Sequence, residues 1–178
     1  FRGRGVCRAL MEFAEKTLRK RYVSCLLLVP ETEKLASYYE TMGYARQDSC
    51  TMQTLRADAP QGAAAVVTPQ EYAGLRETLL FDVPHTRYSK AQLDYAADDL
   101  DFYRLEQGYA LGCAAVRRAG QIVEELLPDA RMLPALAAAL GAGQYPVKTP
   151  GHGTMNCMAK WLDAEKQTAP IWLAFDFD

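Results

Sequence analysis

The chain has 178 residues, 49% hydrophobic and 24% charged, with 20 Lys and Arg against 22 Asp and Glu. That is the composition of an ordinary globular protein of one domain or two small ones, and its longest convincing apolar run, 25–30, is far too short to span a bilayer as a helix. The five cysteines, at 7, 25, 50, 113 and 157, form no Cys-x-x-Cys pair and lie near no histidine, which argues against a metal site and for reduced thiols in a cytoplasmic setting.

The opening stretch, Arg2-Gly3-Arg4-Gly5, runs into an amphipathic pattern with Val6, Leu10, Phe13, Ala14 and Leu18 at helical spacing, which predicts a helix from about Gly5 to Lys20. Glycines ahead of a helix leave backbone N–H groups free at the positive end of its dipole, and flanking arginines add charge, so the loop reads as an anion cradle. A plain helix-entry turn fits the same residues. Residues 2–21 hold seven Lys and Arg against Glu12 and Glu15, leaving 13 against 20 elsewhere. That balance suits a small polyanion better than a nucleic acid. The chain starts inside a motif, with no initiator Met and no signal-peptide pattern, so it is expected to be the C-terminal part of a longer protein.

Tyr22 to Val29 reads as a buried strand stopped by Pro30. Glu31, Thr32 and Glu33 open a second helix with Leu35, Tyr38, Tyr39 and Met42 on its apolar face, closed by Gly43. Two further strands are expected at Tyr44-Ala45-Arg46 and at Thr51 to Leu55.

Three features together, the Arg2 to Val6 loop leading into a helix, the strand ending in Val29-Pro30, and Tyr39-Glu40-Thr41-Met42-Gly43-Tyr44, resemble the second half of a GNAT (GCN5-related) N-acetyltransferase domain. The resemblance implies that acetyl-CoA is the co-substrate. It implies that Arg2, Gly3, Arg4, Gly5, Val6 and Cys7 hold its pyrophosphate and that Tyr39 is the general acid toward the departing thiolate. Thr32 stands where the family often has Asn, seven residues before the tyrosine, and is assigned to the cofactor site on that basis. A phenol, with an ordinary pKa of about 10, carries its proton at neutral pH, as this role requires. The alternative reading places Tyr38 and Tyr39 as core-facing aromatics. Cys7 and Cys25, with no histidine in either segment, read as small buried hydrophobes.

Residues 58–65, rich in Pro, Gly and Ala, read as a linker between segment 1–57 and segment 66–178. Thr68-Pro69-Gln70-Glu71 is a capping box that opens a helix through Tyr72, Leu75 and Leu79. Ser89-Lys90-Ala91-Gln92 opens another through Leu93, Ala96 and Leu100, with the loop containing Pro84 and His85 between them. A three-stranded antiparallel meander is expected at Phe102–Glu106, Tyr109–Val116 and Ile122–Leu127. A helix at Met132–Leu140, with Pro134 in its first turn, and strands at Tyr145–Lys148 and Ile171–Phe175 complete the pattern.

This order resembles a second, degenerate GNAT copy, as in tandem proteins of the enhanced-intracellular-survival type. The fold class expected is therefore α/β (α+β), a GNAT-like mixed sheet flanked by helices, with a partial first copy and a degenerate second one. No glycine lies between Leu127 and Met132, so the second copy is expected not to bind CoA. His85 and His152 read as exposed, although Gly151-His152-Gly153 also suits an acceptor pocket. Asp176, Asp178 and the terminal carboxylate are candidates to attract an amine.

The function expected is N-acetyl transfer to a small-molecule or peptide amine, with no nucleic-acid or membrane partner and an oligomer compatible with the sequence. The alternatives are a non-catalytic interaction or regulatory module built from GNAT-like halves and a nucleotide- or nucleic-acid-binding module using the basic helix, which the acidic remainder disfavours.

Overall fold

In a computed structural model, which describes residues 5–166 and 171–175, the first helix runs over Val6–Arg19 (α1) and is followed by a short strand, Cys25–Leu28 (β1). The strand is shorter than its apolar run because Tyr22, at φ 59°, belongs to the turn that ends α1. Its N–H and those of Arg21 and Val23 still bond to carbonyls of Leu18 and Arg19. Glu33–Glu40 (α2) is capped by the Thr32 hydroxyl, which accepts from the Leu35 N–H at 3.3 Å.

Ala45–Ala57 (β2) is one strand where two were expected. Gln47 and Ser49 look like a polar break, yet both are buried on one side of the strand while Asp48 points outward. Gln47 Nε2 is satisfied locally, by the Ala45 and Arg46 carbonyls, and Ser49 Oγ at long range, by the Ile171 carbonyl at 2.7 Å.

Ala63–Val66 (β3) occupies the end of the stretch read as a linker, pairing antiparallel with the strand Leu100–Gln107 (β4). Between them stand Pro69–Leu79 (α3) and Lys90–Ala96 (α4), each opened by its capping box. Leu100 belongs to β4 and not to α4. Arg118 gathers the carbonyls of Ala97, Asp98 and Leu100 at 2.9, 2.6 and 3.1 Å, which fixes the end of that helix. Ala110–Arg117 (β5) and Ile122–Leu127 (β6) continue the meander, Leu133–Leu140 (α5) begins with Pro134 in its first turn, and Gly143–Trp161 (β7) is a 19-residue strand, much longer than Tyr145–Lys148. The final segment is no regular strand; it makes a single parallel bridge, Trp172 with His85.

Contacts divide the chain into two compact units, Phe1–Asp48 with Met155–Pro170 and Ser49–Thr154 with Ile171–Asp178. Strands β2 and β7, which pair with each other, each belong in part to both.

In the first unit β1 lies antiparallel to the end of β7, with Cys25 opposite Trp161 and Leu28 opposite Met158. Ala36, Met42, Tyr44 and Met158 form its small core. No residue of α1 is buried, and its stripe of Val6, Leu10 and Phe13 is 55%, 65% and 67% exposed.

In the second unit the strand order is β3-β4-β5-β6-β7, antiparallel except for the parallel pair β6 and β7, where Val123 faces Val147. Alternation along β4 and β5 sends Tyr103, Leu105, Ala114 and Val116 into one core with α5. Leu100, Phe102, Cys113 and Ala115 go to the other face, against α3 and α4. A mixed sheet flanked by helices is therefore present as expected. Glu124 is the extra residue of a bulge in β6, because Ala115 faces Glu125 while Val116 faces Val123.

Candidate active site

The start of α1 has the properties of an anion cradle. Gly5, the N-cap, sits in the left-handed region at φ 74° and ψ 3°, where a side chain would be strained, and nothing lies within 4 Å of where its Cβ would be. Among the described residues no side chain caps this end, and no acidic residue stands in the first turn, which leaves the first N–H groups and the positive end of the dipole available. Cys7 is exposed, not buried, because it lies on this uncovered first turn. Arg2, Gly3 and Arg4 lie outside the described residues.

Tyr39, in the last turn of α2, is brought close to that first turn. Its phenol is held above the usual pKa of 10, first by burial, then by the neighbouring Cys7 and Tyr38. It is therefore a proton donor at neutral pH. Its ring is 5.8 Å from that of Tyr38 and 5.9 Å from that of Tyr44. Both Tyr38 and Tyr39 also contribute to the small core, so each is half-buried instead of wholly internal or external.

Two ties that the sequence did not announce fix α1 against α2. Arg8 Nη2 donates to Thr41 Oγ1 at 2.9 Å, Thr41 Oγ1 donates to the Tyr38 carbonyl at 2.7 Å, and the Arg8 guanidinium lies 5.8 Å from the Tyr38 ring centre. Lys160, from β7, donates to both oxygens of Glu15 on α1 at 2.7 Å and to the Met42 carbonyl after α2 at 2.6 Å. The same ammonium stands 5.7 Å from the centre of the Tyr44 ring. Tyr44 is 3% exposed and its hydroxyl has no hydrogen-bond partner among the described residues. Burial, with Glu15 next, pushes its pKa up to about 12.

Thr32 is placed at the opposite end of α2 from Tyr39, with its hydroxyl engaged in capping. The turn of the second unit that corresponds in order to the start of α1 is built differently: Asp129 turns its carboxylate onto the Arg131 N–H at 2.9 Å and pairs with the Arg131 guanidinium. An acid already occupies the donors there. His152 is exposed on β7 as expected. His85 is not exposed: its ring is held between the Val83 carbonyl at 2.7 Å and Glu77 at 3.1 Å, with only 9% of its side chain accessible. Asp176 and Asp178 lie outside the described residues. Among the described residues no group of three or more His, Cys, Asp or Glu could hold a metal ion, and no helix is long and apolar enough to cross a membrane.

No known protein family and no curated protein matches the chain by sequence. Solved structures do match. One is a conserved protein of Enterococcus faecalis V583 described as a probable N-acyltransferase, with a TM-score of 0.61 and 16% identity over 92% of this chain and 51% of that one. Another is a GCN5-related N-acetyltransferase from Kribbella flavida, at 0.64 and 18% over 92% of this chain and 50% of that one. A third, from Anabaena variabilis, is also a GCN5-related N-acetyltransferase, at 0.62 and 13% over 91% and 52%. The chain thus spans about half the length of the structures it matches. Its mixed sheet flanked by helices has the fold of the GCN5-related N-acetyltransferases.

Proposed function

We propose that the chain carries the cofactor side of an N-acyltransferase that moves an acetyl group from acetyl-CoA to an amine of a small molecule or peptide. The observation that carries this reading is the joining of the Tyr39 end of α2 to the first turn of α1, where Arg8 bonds Thr41 at 2.9 Å and lies 5.8 Å from the Tyr38 ring centre. The residues present fit a pyrophosphate. Gly5 opens the backbone without a Cβ, the N–H groups of Val6 and Cys7 follow it, and among the described residues no carboxylate caps them.

Acetyl-CoA supplies the activated acyl group. Val6 and Cys7 would hold phosphate oxygens through their backbone N–H groups, with Arg2, Gly3 and Arg4 as further candidates. Tyr39 would keep a proton at Oη and give it to the sulfur as the C–S bond breaks and the amine nitrogen forms its bond to the acyl carbon; the nitrogen would shed one proton to solvent, and the phenolate would take one back. Arg8 and Lys160 position the two helices through Thr41, Met42 and Glu15 and need not touch the substrate.

On this reading residues 1–57 belong to the first copy of a tandem protein and 66–178 to a degenerate second copy. The Asp129 carboxylate, which caps the short turn Ala130–Met132 just ahead of α5, supports that view, since a negative charge there opposes a second phosphate.

The test is release of CoA thiol by the full chain with a panel of primary amines, comparing wild type with Tyr39→Phe. The expected result is a drop in kcat of at least tenfold with little change in acetyl-CoA affinity. An unchanged kcat would remove Tyr39 from the mechanism.

A further inference from the structure

A cavity of about 220 Å³ in the second unit is lined by Ala73, Arg76, Glu77, Arg87, Tyr88 and Leu93. Arg76 is only 1% exposed, and a guanidinium has five N–H donors in a fixed fork, so each must be accounted for. Its Nε meets the Glu125 oxygens at 3.0 and 3.1 Å. Its Nη1 donates to the Thr86 carbonyl at 2.6 Å and lies 3.6 Å from Glu77. Its Nη2 has no hydrogen-bond partner among the described residues, and the guanidinium lies 4.8 Å from the centre of the Tyr88 ring. A buried, charged donor left in this way is costly, and such groups are rare in folded proteins unless something else accepts from them.

The two acids nearby are already committed. Glu125 accepts from Tyr72 Oη and Trp172 Nε1 as well as Arg76. Glu77 takes His85 Nε2 at 3.1 Å and Arg87 Nε at 2.8 Å. Arg87, a lining residue whose side chain is 83% exposed, spends Nε on this pair. The remaining wall is apolar, formed by Ala73, Leu93 and the ring of Tyr88. The Tyr88 hydroxyl is turned away, donating to the Phe175 carbonyl at 2.9 Å.

We propose that this cavity binds a small organic carboxylate, whose oxygens accept from Arg76 Nη2 and the Arg87 guanidinium while its short apolar tail lies against Ala73, Leu93 and the Tyr88 ring. Glu77 and Glu125 are both engaged by the two guanidinium groups, so an amine would find no uncommitted acceptor here, whereas a carboxylate finds a free donor. A single buried free nitrogen beside apolar walls favours a carboxylate with a tail over phosphate, which needs more donors.

The test is calorimetric titration of the full chain with hexanoate, hexanol and inorganic phosphate. Hexanoate is expected to bind at least tenfold more tightly than either of the others. Ala73→Phe fills the cavity from a half-exposed position on α3 and is expected to abolish binding. Arg87→Gln, on the surface, is expected to weaken it at least fivefold, with circular dichroism and thermal midpoint reporting the fold of each variant. Should Ala73→Phe fail to fold, Arg87→Gln decides alone. Absence of binding, equal binding of hexanol, tighter binding of phosphate, or an affinity unchanged in Arg87→Gln or in folded Ala73→Phe would each overturn the proposal.

Discussion

Lys160 reaches both carboxylate oxygens of Glu15 at 2.7 Å, across 145 residues of sequence. Only 20% of the lysine side chain and 12% of the glutamate side chain are exposed, so the pair lies between a surface bridge and a buried one. Replacing Lys160 by Met strands the acid and frees the Met42 carbonyl. The expected cost is about 2 kcal/mol, read from the urea midpoint. A midpoint within error of wild type would mean that the bridge does not hold α1.

The hydroxyl of Tyr44 is buried with no partner among the described residues. Removing an unsatisfied buried hydroxyl relieves its desolvation cost, so Tyr44→Phe is expected to stabilise the protein by about 1 kcal/mol. Chemical denaturation of the two proteins side by side checks the sign. A loss of stability would show that the hydroxyl has a partner in solution.

Glu125 is fully buried and accepts from three side chains at once. Changing it to Gln keeps its size but takes from Arg76 its nearer counter-ion, leaving only Glu77 at 3.6 Å, with an expected loss of about 3 kcal/mol. Thermal unfolding measures it. A shift no larger than that of a surface substitution would contradict the burial of the pair.

The alkaline limb of stability follows from groups held protonated. Tyr44 is raised from 10 to about 12 and Cys157 from 9 to about 12, in both cases chiefly by burial. A raised pKa means that the unfolded chain releases its proton first. The stabilisation is complete below pH 9 and is lost as pH rises from there through about 12. Tyr72 and Cys113 shift in the same direction. Urea midpoints measured at rising pH should hold steady up to about 9 and then decline; a rise over the alkaline range would contradict the assignment.

What was legible in the sequence was local. The capping boxes at Thr68 and Ser89 act over three residues, and both open helices where expected. The alternation along β4 and β5 and the turn at Gly108, with φ 60°, likewise announced their hairpin. Long-range satisfaction was not legible. Gln47 and Ser49 looked like a break in β2, and the acceptor for Ser49 lies 122 residues away at Ile171. Pro146, Pro150 and two glycines hid the length of β7. Of the candidate site, the resemblance named Gly5, Val6, Cys7 and Tyr39; the Arg8–Thr41 hydrogen bond joins the start of α1 to the end of α2. Lys160 and Arg8 had no signal of their own, since a lysine in a strand and an arginine on a basic helix look like solvated charge.

The measurement that tests the central claim most directly is titration of the full chain with acetyl-CoA and with S-acetyl-pantetheine, which carries the same thioester without the pyrophosphate, in wild type and Gly5→Val. A Val at a position with φ 74° both strains the backbone and crowds the start of α1. The predicted result is that acetyl-CoA binds wild type at least tenfold more tightly than S-acetyl-pantetheine and that Gly5→Val removes this difference. Equal affinity for the two thioesters in wild type, or a difference untouched by Gly5→Val, would contradict a pyrophosphate cradle at the start of α1.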